Sequence, residues 1–361
     1  MAGTHHSPPT LHAVAPFITR SLRMNDRGVV VLALDGLPHA PAKRAFTSAS
    51  VDVARSTFPS TSVTAWLTSV TGADVAQHHA AGMAMRVPGT VRVASLTEDG
   101  PDDLVASHTT VFETARADGR QAYFWAPDLE PLSGPWIKAL SRGADWLPSG
   151  HRDDLTSDPV VAVRRAVDAV DGVRAQGLLW AYVNLDDHLH AHGPDARIAE
   201  ALVLLDCAAR RWADTGRTVI AHADHGQAVV QPRPDLQEQW TRLAAPKYCR
   251  APAGGAGRVR WLYPHPEQAE SLRARAADAL GDQADVVTFD ELAERGLMAD
   301  TPPLRERVGE IVAIAAGPGF PVYRATDAYD HGATTADETD VAVAVWPPGP
   351  NLSAFTQGVC R

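Results

Sequence analysis

The sequence predicts an α/β protein, with a mostly parallel central sheet that is flanked by helices on both faces. Continuous apolar runs alternate with amphipathic, helix-like stretches along the 361 residues, and this alternation is typical of βαβ units. The first apolar run, at residues 29–34, contains no polar residue, as expected for a parallel strand that is buried on both faces. Polar side chains follow several of these runs, which places them at the sheet edge where α/β proteins bind ligands.

The same patterns locate the individual elements. Besides the first strand, we predict strands at residues 122–125, 178–184, 218–222, 258–262, 286–289, 310–315 and 341–346. Helices are predicted between them, at residues 63–70, 111–118, 160–170, 197–215 and 266–280. Residues 231–319 have Pro-rich and Gly-rich edges and their own strand and helix signals, so we predict that they form a small inserted cap subdomain. The core then comprises residues 29–230 and 320–361, and residues 1–28 form an N-terminal extension.

The composition, with 45% hydrophobic and 21% charged residues, is that of a globular protein with a full core. The net charge of -10 and the lack of a basic stretch argue against a nucleic-acid polymer as partner. No stretch reaches the roughly 20 apolar residues of a membrane span, and no secretory signal is recognisable, so we expect no membrane partner and a cytoplasmic location. Cys207, Cys249 and Cys360 lie far apart and form no CxxC motif, which indicates neither disulfides nor a thiolate metal site. No pattern in the sequence predicts an oligomeric state.

Residues of the types that bind metals follow two of the predicted strands. The run 29–34 leads directly into Asp35, and Gly36 then allows the chain to turn. The strand at 178–184 precedes Asp186 and His190, which are four residues apart. On one helix face a carboxylate and an imidazole with this spacing can bind the same ion. Nearby His188 and His192 are alternative ligands, and Asp187 is interpreted as pointing elsewhere.

Two later segments carry the same types of residue. The strand at 218–222 is followed by Asp224, His225 and Gly226. Successive residues cannot share a face of a regular element, so this pair can act together only where the chain turns at the strand end. The last segment contains His331 and Gly332 just before the strand at 341–346. Together the four segments predict two adjacent sites for divalent metal ions.

A hydroxyl-rich segment at residues 56–62 leads into the helix predicted at 63–70, which Gly72 closes. Ser62 is the natural N-cap of this helix. At that place a hydroxyl lies beside free backbone N–H groups and the positive end of the helix dipole, which suit an attacked phosphoryl group. Thr57 and Thr61 are competing hydroxyls.

The ordered set of motifs resembles the alkaline phosphatase superfamily, and within it the type I phosphodiesterase and nucleotide pyrophosphatase family, over about residues 29–346. The shared pattern runs from Asp35-Gly36 through a hydroxyl nine residues before Thr71-Gly72 to the later segments. These are Asp186-xxx-His190-xx-Gly193-Pro194, Asp224-His225-Gly226 and His331-Gly332. The resemblance implies one ion held by Asp186, His190 and His331, and a second held by Asp35, Asp224 and His225. Zinc is the expected metal, with manganese as the alternative.

The family usually has Thr as its nucleophile. The spacing from Thr71 and the Pro three residues upstream both match Ser62, whereas local similarity to a Thr-Phe-Pro motif matches Thr57. The resemblance implies that Ser62 attacks phosphorus, that a phosphoryl-serine intermediate forms, and that water hydrolyses it. Nucleotide pyrophosphatases place an Asn three residues after the nucleophile, where this chain has Ala65.

The resemblance therefore implies a metal-dependent hydrolase of small phosphate esters, and the phosphodiesterase interpretation is preferred. A phosphomonoesterase acting on a small metabolite and a phosphonate hydrolase are the alternative enzymes, because the same superfamily core serves both. A metal-binding protein that has lost its catalytic activity is the alternative outside the enzyme class.

Overall fold

The computed structural model describes residues 8–149, 157–173, 176–321, 324 and 326–359. Its strands are β1 (Val29–Asp35), β2 (Ser50–Arg55), β3 (Ala84–Arg86), β4 (Val93–Ser95), β5 (Gln121–Trp125), β6 (Asp145–Trp146), β7 (Gly177–Asn184), β8 (Thr218–Ala223), β9 (Ala228–Val229), β10 (Cys249–Ala256), β11 (Val259–Pro264), β12 (Ala284–Thr288), β13 (Ile311–Ala315), β14 (Tyr329–Asp330) and β15 (Asp340–Trp346). Its α-helices are α1 (Val14–Met24), α2 (His39–Ala45), α3 (Ser62–Thr71), α4 (Val75–His78), α5 (Val111–Ala117), α6 (Pro135–Leu140), α7 (Pro159–Gly172), α8 (Asp186–His192), α9 (Ala196–Asp214), α10 (Pro234–Leu243), α11 (Ala269–Leu280), α12 (Phe289–Glu294), α13 (Pro302–Arg307), α14 (Ala336–Thr339) and α15 (Leu352–Val359).

The larger sheet has the strand order β2-β15-β8-β1-β7-β5-β6. At its centre β1 pairs in parallel with both β7 and β8, and β5 continues the parallel arrangement on the outer side of β7. Only β15 runs the other way, because it pairs antiparallel with β8 and with β2. All residues of β1 are buried, as the apolar run predicts for a strand covered on both faces. The predicted fold class, a mostly parallel sheet flanked by helices, is confirmed.

A second sheet has the order β12-β13-β11-β10-β3-β4 and its pairings are antiparallel. Four of its strands come from residues 249–315, whereas β3 and β4 come from much earlier in the chain. Trp240, Trp261 and Tyr263 of this region are buried and pack in the core. The division into an extension, a core and a cap stays a prediction.

The predicted strands and helices are all found, with ends that shift by a few residues. The strand predicted at 286–289 ends at Thr288, because Phe289 begins α12. Helix α1 lies within the segment interpreted as an extension, and Val14 and Ile18 on its inner face are buried in the core. No helix in the described part of the chain is long and apolar enough to cross a membrane. Cys249 is buried and Cys207 is exposed, both as free thiols, and Cys360 lies outside the described residues.

The register of the large sheet brings the predicted metal-binding segments to one edge. Asp35 at the end of β1 is opposite Asn184 at the end of β7, and Leu34 is opposite Ala223 at the end of β8. The C-terminal ends of the three central strands therefore lie side by side at one edge of the sheet. Because β15 is antiparallel to them, it starts at this edge, and the segment that precedes it lies there too.

Candidate metal centre

The six predicted ligand side chains meet at this edge of the sheet. We call Asp186, His190 and His331 the first triad, and Asp35, Asp224 and His225 the second triad. Asp186 and His190 lie one turn apart on α8, which follows β7. Asp35 is the last residue of β1, and the others stand in the segments that follow β8 and β14. Four of the six residues are buried, whereas the side chains of His190 and Asp186 are 13% and 17% exposed.

The second triad is compact, and its three ligand atoms lie within 4.8 Å of one another. Nε2 of His225 is 3.6 Å from Oδ1 of Asp35 and 3.2 Å from Oδ2 of Asp224. This Asp224 oxygen is buried and has no hydrogen-bond partner among the described residues. Buried carboxylate oxygens without partners are unfavourable, so the arrangement fits a bound cation.

The first triad is more open. Oδ2 of Asp186 is 3.2 Å from Nε2 of His190 and 4.0 Å from Nε2 of His331. Within the described ranges, the compact groups on this side are instead Asp186 with His225 and His331, and His190 with Asp330 and His331. The rings of His225 and His331 stack with centroids 3.5 Å apart. The two triads are therefore joined into one continuous cluster of ligand-type groups.

Each imidazole is oriented by a backbone carbonyl. The Nδ1 atoms of His190, His331 and His225 lie 2.8, 2.9 and 3.1 Å from the carbonyl oxygens of Tyr329, Ser60 and Gly226, respectively. A carbonyl can only accept, so each Nδ1 carries the proton and donates it. In the neutral imidazole each Nε2 then has a free lone pair that faces the cluster, which is the arrangement typical of metal-binding histidines.

One oxygen of each carboxylate accepts a hydrogen bond from a group outside the cluster. The Tyr182 hydroxyl donates to Oδ2 of Asp35, and the Gln227 side-chain amide donates to Oδ1 of Asp186. The backbone N–H of Gly36 donates to Oδ1 of Asp224 at 3.0 Å. The opposite oxygen of each Asp is directed to the cluster, so that all six residues present one ligand atom to it.

Gly36 makes room for this packing. Its φ of +75° lies in the left-handed region, and a Cβ at this position would lie 2.5 Å from Oδ1 of Asp186. Any side chain here would therefore meet both backbone strain and a direct clash with a ligand residue.

Burial dominates the electrostatics of the second triad. Burial and the neighbouring carboxylates of Asp224 and Asp186 raise the pKa of Asp35 well above its usual range, and burial raises the pKa of Asp224 to about 7. Burial also lowers the pKa of His225 well below its ordinary value. Charge on this side of the cluster is thus disfavoured by the protein itself, and a bound cation would offset that penalty.

The first triad contains an ion pair. Burial opposes charge on both partners, but the attraction between them outweighs it, so the pKa of Asp186 falls below its usual range and that of His190 rises to about 10. A metal ion would take the place of the His190 proton, because a metal ligand must be neutral imidazole.

Ser62 lies beside the second triad. Its Oγ is 3.1 Å from Nε2 of His225 and 3.3 Å from Oδ1 of Asp35. The prediction that Ser62 caps α3 is wrong: Thr61 occupies the N-cap, without a capping side-chain bond, and Ser62 is the first residue of the helix. One residue further into the helix, the hydroxyl turns away from the helix backbone and towards the cluster.

The two competing hydroxyls have other partners. Oγ1 of Thr57 donates to the carbonyl oxygen of Pro59 at 2.9 Å, and Oγ1 of Thr61 lies 3.2 Å from Oγ1 of Thr64. The alternative ligands near α8 are also engaged elsewhere. Nε2 of His188 lies 3.1 Å from Asp195, and the ring of His192 packs against that of His188, with centroids 4.7 Å apart. Asp187, which was interpreted as pointing elsewhere, accepts a hydrogen bond from Asn184 at 2.9 Å.

Three residues at the centre were not predicted from the sequence. Asp330 joins His190 and His331 in a compact group, and its position directly before His331 was the one available signal. Tyr182 stands within an apolar strand, and Gln227 follows a predicted ligand pair by two residues. Neither residue type is a usual metal ligand, so only the folded structure reveals their contacts with the carboxylates.

Comparison with solved structures finds similar folds throughout the chain. Murine ectonucleotide pyrophosphatase/phosphodiesterase 5 shares 16% identity, with a TM-score of 0.64 over 88% of this chain and 87% of that one. Phosphonoacetate hydrolase from Sinorhizobium meliloti 1021, in complex with phosphonoacetate, also shares 16% identity, with a TM-score of 0.64 over 93% of this chain and 96% of that one. At 16% identity, these similarities establish the fold of this chain and nothing beyond it. Comparison of the sequence with curated proteins found no match.

The family model described as type I phosphodiesterase / nucleotide pyrophosphatase matches residues 29–337, which is most of the chain. This match confirms the resemblance inferred from the motifs. Membership also implies divalent metal ions as cofactors, which agrees with the ligand-type cluster at the sheet edge. The chain belongs to the type I phosphodiesterase/nucleotide pyrophosphatase family and is a hydrolase of phosphoric esters.

Proposed function

We propose that the protein is a two-metal phosphodiesterase that hydrolyses small, singly charged phosphodiesters, with Ser62 as its nucleophile. The observation that carries the proposal is the position of the Ser62 Oγ, 3.1 Å from His225 and 3.3 Å from Asp35. Both of these neighbours belong to the second triad. The Ser56 hydroxyl donates to the backbone carbonyl of Asp224, whereas the Ser62 hydroxyl contacts ligand side chains and is thus at the place where a nucleophile is needed.

The ligand set fits zinc. Mixed imidazole and carboxylate donors, each oriented by a hydrogen bond to its other polar atom, are typical of zinc sites in enzymes. Manganese is the alternative, since the carboxylate oxygens suit it as well. When bound, two such ions supply the positive charge that favours ionisation of a hydroxyl and stabilises negative charge on the transferred phosphoryl group.

The residues of the chain supply position and a covalent intermediate. Ser62 is fixed at the start of α3, so its oxygen approaches the phosphorus from a defined side. The Ser62 hydroxyl loses its proton as its oxygen bonds to phosphorus, the bond to the leaving-group oxygen breaks, and the leaving group takes up a proton. Water then attacks the phosphoryl-serine, which keeps the second ester group of the diester, and releases the monoester and the Ser62 hydroxyl. The first backbone N–H groups of α3 have no partner within the helix, so they can donate to the oxygens of the transferred group.

Charge supports a diester over a monoester. Two divalent ions would bring four positive charges, and the three aspartates of the triads bring three negative ones. Asp330 and Asp327 lie beside His190 and add further negative charge when ionised. Among the described residues, the hydrogen bonds and ion pairs of the six ligand side chains include no Arg or Lys. A dianionic monoester would meet no added cation here, whereas a monoanionic diester requires none.

Ala65 supports a substrate other than a nucleotide. It is fully buried in α3, one turn after Ser62, and carries no polar group with which to contact a phosphate. The fold likeness to phosphonoacetate hydrolase supports phosphonate hydrolysis as the second candidate. A phosphonate that also carries a carboxylate has more negative charge than a diester, so the charge argument favours the diester.

Initial rates with three substrates test the proposal. Bis-p-nitrophenyl phosphate, p-nitrophenyl phosphate and phosphonoacetate should be compared at equal concentration with the zinc-loaded enzyme. We expect the diester to be hydrolysed fastest, and a chelator to abolish the activity until zinc is restored. A faster rate with the monoester would overturn the diester preference, and a faster rate with phosphonoacetate would assign the phosphonate activity instead.

A further inference from the structure

Two neutral side chains hold the carboxylates of the metal centre in a crossed arrangement. Tyr182 is on β7, which leads into Asp186 and His190 of the first triad, but its hydroxyl donates to Asp35 of the second triad. Gln227 follows Asp224 and His225 of the second triad, but its amide donates to Asp186 of the first. Each triad therefore depends on a residue from the segment that supplies the other.

Tyr182 is held firmly in place. It is buried with 5% exposure, and on β7 it lies opposite Ala33 of β1, two residues before Asp35. Its ring packs against those of Trp66 and Trp180, with both centroids 6.2 Å away. A hydroxyl on such a rigid ring can fix the orientation of the Asp35 carboxylate and leave only Oδ1 to face the cluster.

Gln227 is similarly buried, with 4% exposure. Its Nε2 donates to Oδ1 of Asp186, while its Oε1 is buried and has no hydrogen-bond partner among the described residues. The contact with Asp186 is therefore the main polar interaction that this buried amide makes. It leaves Oδ2 of Asp186 to face His190 and His331.

We propose that Tyr182 and Gln227 are positioning residues, and that each one orients a carboxylate of the metal site to which the other residue's segment contributes ligands. This inference rests on the two-metal centre of the proposed function. Tyr182 stabilises the ion of the second triad through Asp35, and Gln227 stabilises the ion of the first triad through Asp186. Loss of such an outer hydrogen bond typically weakens metal binding 10-fold to 100-fold.

Zinc affinities of the full-length Tyr182→Phe and Gln227→Met variants test the proposal. Both substitutions keep the size of the side chain and remove the donor. Competition with a chromophoric chelator measures the two affinities, and anomalous diffraction from crystals at limiting zinc shows which site is depleted. We expect Tyr182→Phe to deplete the second triad and Gln227→Met the first, each by about 10-fold or more in affinity, with the other ion unchanged.

The visible spectrum of the cobalt-loaded protein provides a readout that packing alone would not change. In each variant we expect altered absorption bands for one of the two cobalt ions. Tyr263→Phe is the matched control, because Tyr263 is a buried tyrosine of the second sheet whose hydroxyl bonds to the Arg307 carbonyl and not to the cluster. Its zinc affinities and cobalt spectrum should equal those of the wild type.

The proposal would be overturned by an equal loss of affinity for both ions or by unchanged affinities. Depletion of the triad whose ligands lie on the same segment as the substituted residue would also overturn it. The two variants lie on different segments, so one still decides the matter if the other fails to fold. No turnover is measured in these experiments. Failure of the wild type to hydrolyse phosphodiesters would contradict the proposed function, whereas the crossed pattern of metal loss would be unaffected.

Discussion

The hydroxyl oxygen of Ser62 lies 3.1 Å from Nε2 of His225, the imidazole that joins the two triads. We expect Ser62→Ala to lower the rate of diester hydrolysis by at least about a thousandfold, because the chain then lacks its nucleophile. The metal content should stay unchanged, since Ser62 is not one of the six ligands. Steady-state rates together with metal analysis check this prediction.

Thr57→Ala is the matched control for Ser62. Thr57 lies in the same segment, but its hydroxyl bonds to the Pro59 carbonyl and to Thr64. We expect its loss to lower stability slightly and to leave turnover within a few-fold of the wild type. Full activity in Ser62→Ala, with loss of activity in Thr57→Ala, would transfer the role of nucleophile to Thr57.

Gly36→Ala adds only one methyl group, but it should lower both the stability of the protein and its zinc affinity. The φ of +75° costs an alanine roughly 1 to 2 kcal/mol, and its Cβ would lie 2.5 Å from Oδ1 of Asp186. Gly119→Ala is a close control, because its φ is +73° and a Cβ there would meet nothing within 4 Å. Denaturant unfolding and zinc titration should show reduced stability in both variants and reduced zinc affinity only in Gly36→Ala. Equal zinc affinities would show that the clash is relieved without moving the ligand.

The buried histidine His78 predicts acid sensitivity. Burial lowers its pKa from 6.5 to about 3, and its Nδ1 accepts the Ala80 N–H at 3.1 Å, a bond that protonation would abolish. In the unfolded chain His78 binds a proton near pH 6.5, so the native state binds fewer protons and stability is lost as the pH falls below this value. We expect this residue to contribute about 3 kcal/mol of that loss between pH 7 and pH 4.

The measurement is the free energy of unfolding at several pH values for the wild type and His78→Gln. The variant should be less stable at pH 7 and should depend less on pH below 6.5. The same substitution at His192, which is exposed, serves as control and should leave the pH dependence of the wild type unchanged. An identical slope in His78→Gln and the wild type would show that His78 does not carry the effect.

A buried ion pair supports the loop that carries His331. Nε of Arg258 lies 3.0 Å from Oε1 of Glu338, and both side chains are at most 3% exposed. The same Glu338 oxygen accepts the Ala333 N–H at 2.9 Å, and the backbone N–H of Arg258 donates to the His331 carbonyl at 2.8 Å. The two residues of the pair therefore hold the loop at two points, the carbonyl of His331 and the N–H of Ala333.

We expect Arg258→Met to lower the free energy of unfolding by about 3 kcal/mol or more, because it leaves Glu338 buried without its partner. Zinc affinity should fall as well, since the His331 loop loses a support. Arg242→Met removes an exposed pair with Glu238 and should cost less than about 1 kcal/mol. Similar losses in the two variants would mean that the buried pair contributes no more than a surface pair.

The apolar pattern predicted the central strands well, because β1, β7 and β8 are buried on both faces and their sequences consist mainly of apolar residues. Several strands were missed for the opposite reason, among them β2 and β10. Residues of β2 are mostly half-buried, and β10 contains Gly and Pro residues that normally indicate loops. Helix α1 was missed because it lies in a segment interpreted as an extension.

The candidate site was predicted from residue types at strand ends and from the order of the motifs. What such patterns do not contain is the geometry around each ligand. Nothing in an apolar strand indicates that Tyr182 reaches Asp35, and the shift of Ser62 from the N-cap to the first helical position depends on how the preceding loop packs. These contacts join residues that are far apart in the chain, so local sequence cannot specify them.

The most direct test is an anomalous diffraction measurement on crystals of the zinc-loaded protein. We predict two zinc peaks at the carboxyl edge of the large sheet, one within bonding distance of each triad, with the Ser62 oxygen beside the ion of the second triad. A single peak, or peaks that lie away from these six side chains, would contradict the two-metal centre on which the proposed mechanism depends.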